Sequence, residues 1–256
     1  MELLISQATC AVVIDSEVRG TAWLFSHEGH LLTAGHILGT KRALNKVKVQ
    51  FSEDVPRNAY TIIWGYQQEM GIDFAVLKLE DLPINRSPLP ISLERLVHGS
   101  FTLRGYGISL NYQSSGTGDI AGWLDLQNSS SNRLFQLKSS DIGEAGYSGG
   151  PVFSHFLNAV VAIQVEATTT NVGAGRDTIL AMPLYRIAQQ WEKLSNFIVD
   201  PFKQNYSPSN YFEPDNQNDL KRKLKLASKT LISKWLNSNA RNCYITQKAT
   251  CLVDNL

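Results

Sequence analysis

The sequence predicts an all-β domain, a barrel or a sandwich, followed by one helix and a basic tail. About a dozen short segments rich in β-branched and aromatic residues run through the first 182 residues. Gly, Asn, Asp, Ser or Pro punctuates them, and no long helical pattern separates them. Near-regular short strands of this kind suit closed or stacked antiparallel sheets. The chain has 256 residues, 43% of them hydrophobic, which suffices for one large core or for one domain plus an appendage.

Strands are expected at 8–14 (ATCAVVI), 20–26 (GTAWLFS), 30–34 (HLLTA), 46–51 (KVKVQF), 59–66 (AYTIIWGY) and 74–79 (FAVLKL). A second set is expected at 100–106 (SFTLRGY), 118–126 (GDIAGWLDL), 133–138 (RLFQLK), 151–154, 159–166 (AVVAIQVE) and 177–182 (DTILAM). After Pro183 the pattern changes period. In LYRIAQQWEKL, Leu184, Ile187, Ala188, Trp191 and Leu194 fall at helical spacing on one face, and proline suits the first turn. Residues 200–218 are rich in Pro, Asn, Ser and Asp and read as a linker. Residues 219–237 read as a basic amphipathic helix within a tail that runs to 256. Its stripe is Leu220, Leu224, Ala227, Leu231 and Trp235, flanked by six Lys/Arg.

A net charge of +1 gives no global field for nucleic acid, but the charge is uneven. From Lys203 onward nine Lys/Arg face four Asp/Glu, whereas the preceding residues carry 15 basic and 19 acidic side chains. That change marks a boundary near residue 200. Cys10, Cys243 and Cys251 form no CxxC pair and no disulfide framework, which suits a reducing compartment. No secretory leader and no membrane-spanning run is read from the sequence, so a cytoplasmic protein is expected.

The stretch GEAGYSGGPVF (143–153) sets Ser148 among four glycines and a proline. A tight turn alone would account for this composition, unless other residues call for a nucleophile there. A serine nucleophile needs a histidine to take its proton and a carboxylate to hold that histidine in the right tautomer. His36 follows an apolar strand in LLTAGHIL. Asp73 immediately precedes the apolar strand in GIDFAVLKL. The order is His36, Asp73, Ser148, with gaps of 37 and 75 residues.

TAGH, DFAVL and GYSGGP together, with GTAWLF ahead of the histidine, resemble the trypsin-like (chymotrypsin-fold) serine peptidases. The resemblance implies two six-stranded β-barrels, at about 1–90 and 91–182, with the site in the cleft between them. The peptidase domain would span 1–199, and PINRSPLPISL near 85–98 would connect the barrels. It implies that His36 and Asp73 come from the first barrel and Ser148 from the second, and that the N–H groups of Gly146 and Ser148 form the oxyanion hole. It places the base of the specificity pocket near Ile142 and its wall at Val165, Glu166 and Ala167. Ile142 favours an apolar or small P1 side chain, whereas Asp141, Glu144 or Glu166 turned inward would select Lys or Arg. Val165 to Ala167 would pair with an extended substrate main chain. No metal or organic cofactor is implied.

Tyr147 stands where trypsin-like zymogens carry the aspartate that pairs with a freed N-terminus, so activation by N-terminal insertion is not expected. The missing disulfide cysteines suit an intracellular bacterial type. An effector role in signalling or defence rests on family analogy alone.

Three rival readings are set beside this one. GYSGG also fits the α/β-hydrolase nucleophile elbow, but only His155 follows Ser148 and no strand–helix alternation is present. HEGH (27–30) is better read as a turn than as a metal site. The serious rival is a protease fold that binds a protein partner through its cleft without cutting. For the basic helix three roles stand open: packing on the barrel, starting a regulatory or fused domain, or touching nucleic acid or anionic lipid.

Overall fold

Twelve antiparallel strands close into two six-stranded barrels. The computed structural model describes residues 1–39, 47–52, 54–82, 86–95, 97–107, 112–126, 132–139, 146–167 and 178–198. The chain divides into two compact units, Met1–Pro201 and Phe202–Leu256, and every described residue lies in the first. The linker and basic helix expected beyond residue 200 lie outside the described residues.

The first barrel takes β1 (Thr9–Ile14), β2 (Glu17–Leu24), β3 (His30–Thr33), β4 (Val47–Phe51), β5 (Arg57–Gln67) and β6 (Ile72–Leu79) in the order β1-β2-β3-β6-β5-β4. In β4, Val47, Val49 and Phe51 are buried while Lys48 and Gln50 are exposed, the two-residue period of a half-buried strand. In β6 nearly every residue is buried, which explains its unbroken apolar run. The second barrel takes β7 (Gly99–Tyr106), β8 (Gln113–Asp125), β9 (Arg133–Lys138), β10 (Pro151–Ser154), β11 (Ala159–Ala167) and β12 (Thr178–Pro183) in the order β10-β11-β12-β9-β8-β7. Closure leaves neither sheet an open edge.

Between the barrels the connector is pinned to both at Leu89 and Ile91. The Leu89 N–H donates to Leu24 C=O at 2.9 Å, and Ile91 then bridges Val160 in parallel. Leu89 and Ile91 are buried in an apolar core that also takes in Leu134, Phe153, Val160 and Met182 of the second barrel. A separate cluster around Phe101, Phe135 and Val152 fills the second barrel itself.

Three local differences from the sequence expectation have physical causes. Helix α1 (Glu2–Ala8) is too short for its periodicity to show, yet it buries Ile5 and Ala8. Strand β8 begins at Gln113, because the polar run QSSGTG is held by its ladder to β7 and not by β-propensity. The C-terminal helix α2 (Leu184–Gln190) ends before Trp191, whose φ of −141° is not helical, and a 3₁₀ turn follows at Glu192–Phe197. That break packs the Trp191 and Phe197 rings on Phe25, at 6.3 and 5.3 Å, in edge-to-face arrangements.

The same aromatic cluster covers His30. Its ring stacks on Phe25, lies 4.9 Å from Phe197, and has Nδ1 2.7 Å from Ser26 Oγ. Burial pushes its pKa below 6.5, Lys78 adds to that and Glu28 opposes it. The folded state therefore resists protonation while the unfolded chain accepts a proton near the usual value. This contribution to stability is complete above about pH 6.5 and is lost as pH falls from there through the lower folded-state value. Melting temperature is expected to drop as pH falls from about 6.5 toward 5, with a shallower drop for His30→Gln. Equal slopes for the two proteins would remove His30 from this account.

Candidate active site

His36 lies in a 3₁₀ turn, Gly35–Leu38, directly after β3. The Trp64 indole N–H on β5 donates to Gly35 C=O at 2.7 Å and fixes that turn to the barrel wall. Asp73 is the second residue of β6, opposite Tyr66 of β5. Its carboxylate grips His36 twice: Oδ1 accepts the His36 backbone N–H at 2.8 Å, and Oδ2 lies 2.6 Å from Nδ1. A carboxylate only accepts, so in the neutral ring the proton sits on Nδ1 and Nε2 keeps a lone pair. The His36 side chain is 34% exposed and that of Asp73 10%, so the imidazole is reachable while the group that orients it is shielded.

Arg186 of α2 braces the segment before Asp73. Its guanidinium donates to the carbonyls of Met70 at 2.6 Å, Gly71 at 3.1 Å and Arg133 at 3.1 Å. It thus ties β9 of the second barrel to the loop that leads into β6. Burial lowers its pKa from the ordinary value, and carbonyl oxygens replace the water it has lost.

Ser148 sits in the tight turn before β10, whose backbone bonds run both ways. The Gly150 N–H donates to Tyr147 C=O at 2.8 Å, and the Gly149 N–H to Gln164 C=O of β11 at 2.7 Å. Toward the first barrel, the Thr21 N–H donates to Ser148 C=O at 2.8 Å and the Thr21 hydroxyl to Gly146 C=O at 2.7 Å. Gly149, at φ +85°, comes so close to β2 and β3 that an added Cβ would lie 2.1 Å from Thr21 O, 2.5 Å from Thr33 Oγ1 and 2.8 Å from Ala34 N. The turn is thereby set against the chain two residues before His36. Gly146 holds φ +107°, a region open to glycine. Among the described residues, the N–H groups of Gly146 and Ser148 donate no backbone hydrogen bond, and no hydrogen bond joins Ser148 Oγ to His36.

The cleft beside His36 is a cavity of about 200 Å³ walled by Tyr66, Gln68, Asp73, Leu134, Val165 and Glu166. A bulge in β11 between Gln164 and Glu166 leaves Val165 out of the ladder with β12. Such bulges re-aim side chains beside sites. The structure thus brings His36, Asp73, Val165 and Glu166 around one cavity. Ile142, Asp141 and Glu144 lie outside the described residues, and so does the side chain of Ala167. Tyr147 is buried in the core of the second barrel, its hydroxyl against Ser114 Oγ. His155 turns to Ser100 and Thr102 of β7. Among the described residues no three of His, Cys, Asp or Glu group as metal ligands do, and no helix is long and apolar enough to cross a membrane.

Sequence reasoning did not single out Thr21, Trp64, Tyr66, Leu134 or Arg186. Thr21 lay within the quoted GTAWLF stretch, but its role depends on which turn the second barrel lays across it. Arg186 is the one charge on the otherwise apolar and neutral LYRIAQQ segment. A cation bracketed by Leu184 and Ile187 on a buried face was the available signal.

The family profile of the trypsin-like peptidase domain matches residues 20–163. Among solved structures, Rv3671c from M. tuberculosis H37Rv, a mutant in the inactive form, is similar at 17% identity and a TM-score of 0.57, over 76% of this chain and 89% of that one. The active form of the Rv3671c protease from M. tuberculosis gives 19% identity and a TM-score of 0.57, over 75% and 82%. A mutant of the HtrA-type protease AlgW with a tripeptide gives 19% identity and a TM-score of 0.58, over 74% of this chain and 60% of that one. At these identities the likeness concerns the fold. No curated protein matches the chain. Two closed six-stranded barrels, and a family match covering more than half of the sequence, mean that the chain belongs to the trypsin-like peptidases and is by that membership a serine endopeptidase.

Proposed function

We propose that the chain hydrolyses peptide bonds of protein or peptide substrates through His36, Asp73 and Ser148. The two-point grip of Asp73 on the ring and main chain of His36 carries this reading, because it leaves Nε2 as a base at the cleft. Ser148 Oγ attacks the scissile carbonyl and His36 Nε2 takes its proton. The oxyanion that forms is met by the N–H groups of Gly146 and Ser148. His36 returns the proton to the leaving amine as the C–N bond breaks, and an acyl-enzyme remains. Water, deprotonated by His36, attacks the ester, releases the acid and restores the Ser148 hydroxyl. Each step needs only side chains and backbone of this chain, together with substrate and water.

An extended peptide main chain would lie along Val165 to Ala167, with its side chains reaching the cavity between Tyr66, Leu134 and Val165. Ile142 is assigned to the base of the P1 pocket, favouring apolar or small side chains.

Incubation of the purified chain with a fluorophosphonate, followed by peptide mapping, is expected to place one adduct on Ser148. Well-folded protein that takes up no probe would reject hydrolysis and leave a cleft that binds a protein partner without cutting it.

A further inference from the structure

Thr21 is fully buried on β2, facing the second barrel, and each of its polar groups is engaged. Its C=O accepts the Thr33 hydroxyl at 2.6 Å, and its N–H holds Ser148 C=O at 2.8 Å. The hydroxyl lies 2.7 Å from Gly146 C=O and 2.9 Å from the Tyr106 N–H. The direction of its proton follows from its partners. An amide N–H only donates and a carbonyl only accepts, so the Thr21 O–H must point at Gly146.

We propose that Thr21 is the positioning residue for the oxyanion-binding backbone, holding the Gly146–Ser148 peptides in register from the opposite barrel. The inference rests on the hydrolytic reading above. Three consecutive carbonyls in the turn have assigned donors: Gly146 C=O takes the Thr21 hydroxyl, Tyr147 C=O the Gly150 N–H, and Ser148 C=O the Thr21 N–H. In a trans peptide the N–H points opposite to the C=O, so Thr21 fixes the Gly146–Tyr147 and Ser148–Gly149 peptides, which flank the Tyr147–Ser148 peptide on both sides. The Ser148 N–H belongs to the peptide whose carbonyl is tied to Gly150. Gly146, at φ +107°, has no side chain to restrain its ψ. The restraint therefore comes from outside the turn, and the Thr21 hydroxyl is the group that supplies it. The chain Tyr106 N–H to Thr21 O–H to Gly146 C=O is polarised in one direction, which strengthens both bonds in a buried setting.

Thr21→Val keeps the shape and removes the hydroxyl. It leaves Gly146 C=O and the Tyr106 N–H buried without this partner. Deleting an oxyanion donor costs about 10²–10³ in kcat, and misplacing one should cost somewhat less. The expected loss is about 10–100-fold in kcat and in the rate of fluorophosphonate labelling, with KM within about twofold, and Thr21→Ser should recover all but about threefold. A merely structural threonine would lower the melting temperature without this split between kcat and KM. Affinity for a peptide aldehyde should fall with kcat, whereas affinity for a non-reacting peptide should not.

Folded Thr21→Val with wild-type kcat overturns the positioning role and leaves the hydrolytic reading intact. Failure of the folded wild-type chain to label overturns both. Should Thr21→Val not fold, Thr21→Cys replaces it. A thiol is a weak donor, so its kcat should fall at least about fivefold below that of Thr21→Ser, and equality with Thr21→Ser would overturn the inference.

Discussion

Ser148→Ala and His36→Ala should each lower kcat by about 10⁶-fold, and the double substitution should cost no more than either alone. In the proposed mechanism the two groups act as one unit. Without Ser148 there is no nucleophile for His36 to serve, and without His36 the hydroxyl keeps its proton. Asp73→Asn tests the geometry more finely. Oδ1 of Asp73 accepts the His36 backbone N–H, a bond that the asparagine carbonyl oxygen can still satisfy. The asparagine NH₂ then faces Nδ1, which must become an acceptor. The ring proton moves to Nε2, and the base is lost although no atom has moved far. The expected cost is about 10⁴ in kcat, with folding preserved. The check is single-turnover and steady-state kinetics on a peptide selected from a library. Additive losses in the double variant, or Asp73→Asn within tenfold of wild type, would break the proposed division of labour.

The residues that single out this site differ in how they can be found. Strands such as VKVQF and IDFAVLKL are legible because burial of one face or of both leaves a period, or an unbroken run, in the sequence itself. His36 and Asp73 stand out as polar residues next to such runs. The hold of Asp73 on the His36 main chain is not legible, because it depends on β3 pairing with β6 in the register that sets Thr33 opposite Ala75 and so brings the turn after β3 beside Asp73. Strand β8 hides in a run of Ser, Thr and Gly because its partner strand, and not its own composition, makes it a strand. The break at Trp191 is likewise invisible: a continuous helix satisfies the local pattern, and only Phe25 and Phe197 reveal why the chain departs from it. Thr21 and Arg186 belong to the same class. Each contacts carbonyls more than 50 residues away in sequence, and a carbonyl leaves no signature in the residue that bears it.

Gly149→Ala should destabilise the fold by about 3–5 kcal/mol, of which only about 1–2 comes from its backbone angle. Gly99 separates the two contributions. It holds φ +89° against +85° at Gly149, and a Cβ built on it meets nothing within 4 Å among the described residues. Gly99→Ala should therefore show the conformational cost alone, about 1–2 kcal/mol. At Gly149 the new methyl would also lie 2.1 Å from Thr21 O, and backbone oxygen cannot swing aside as a side-chain tip can. Relief requires the turn to back away from β2. That movement stretches the bonds from Thr21 to Gly146 and Ser148, so the steric cost is shared with the contacts that seat Ser148. Urea unfolding of the two variants reads the difference directly, and equal losses would mean that the turn moves freely. The same movement draws Ser148 away from the chain that precedes His36. Whatever Gly149→Ala protein survives should therefore lose fluorophosphonate reactivity out of proportion to its stability, while Gly99→Ala keeps the wild-type rate.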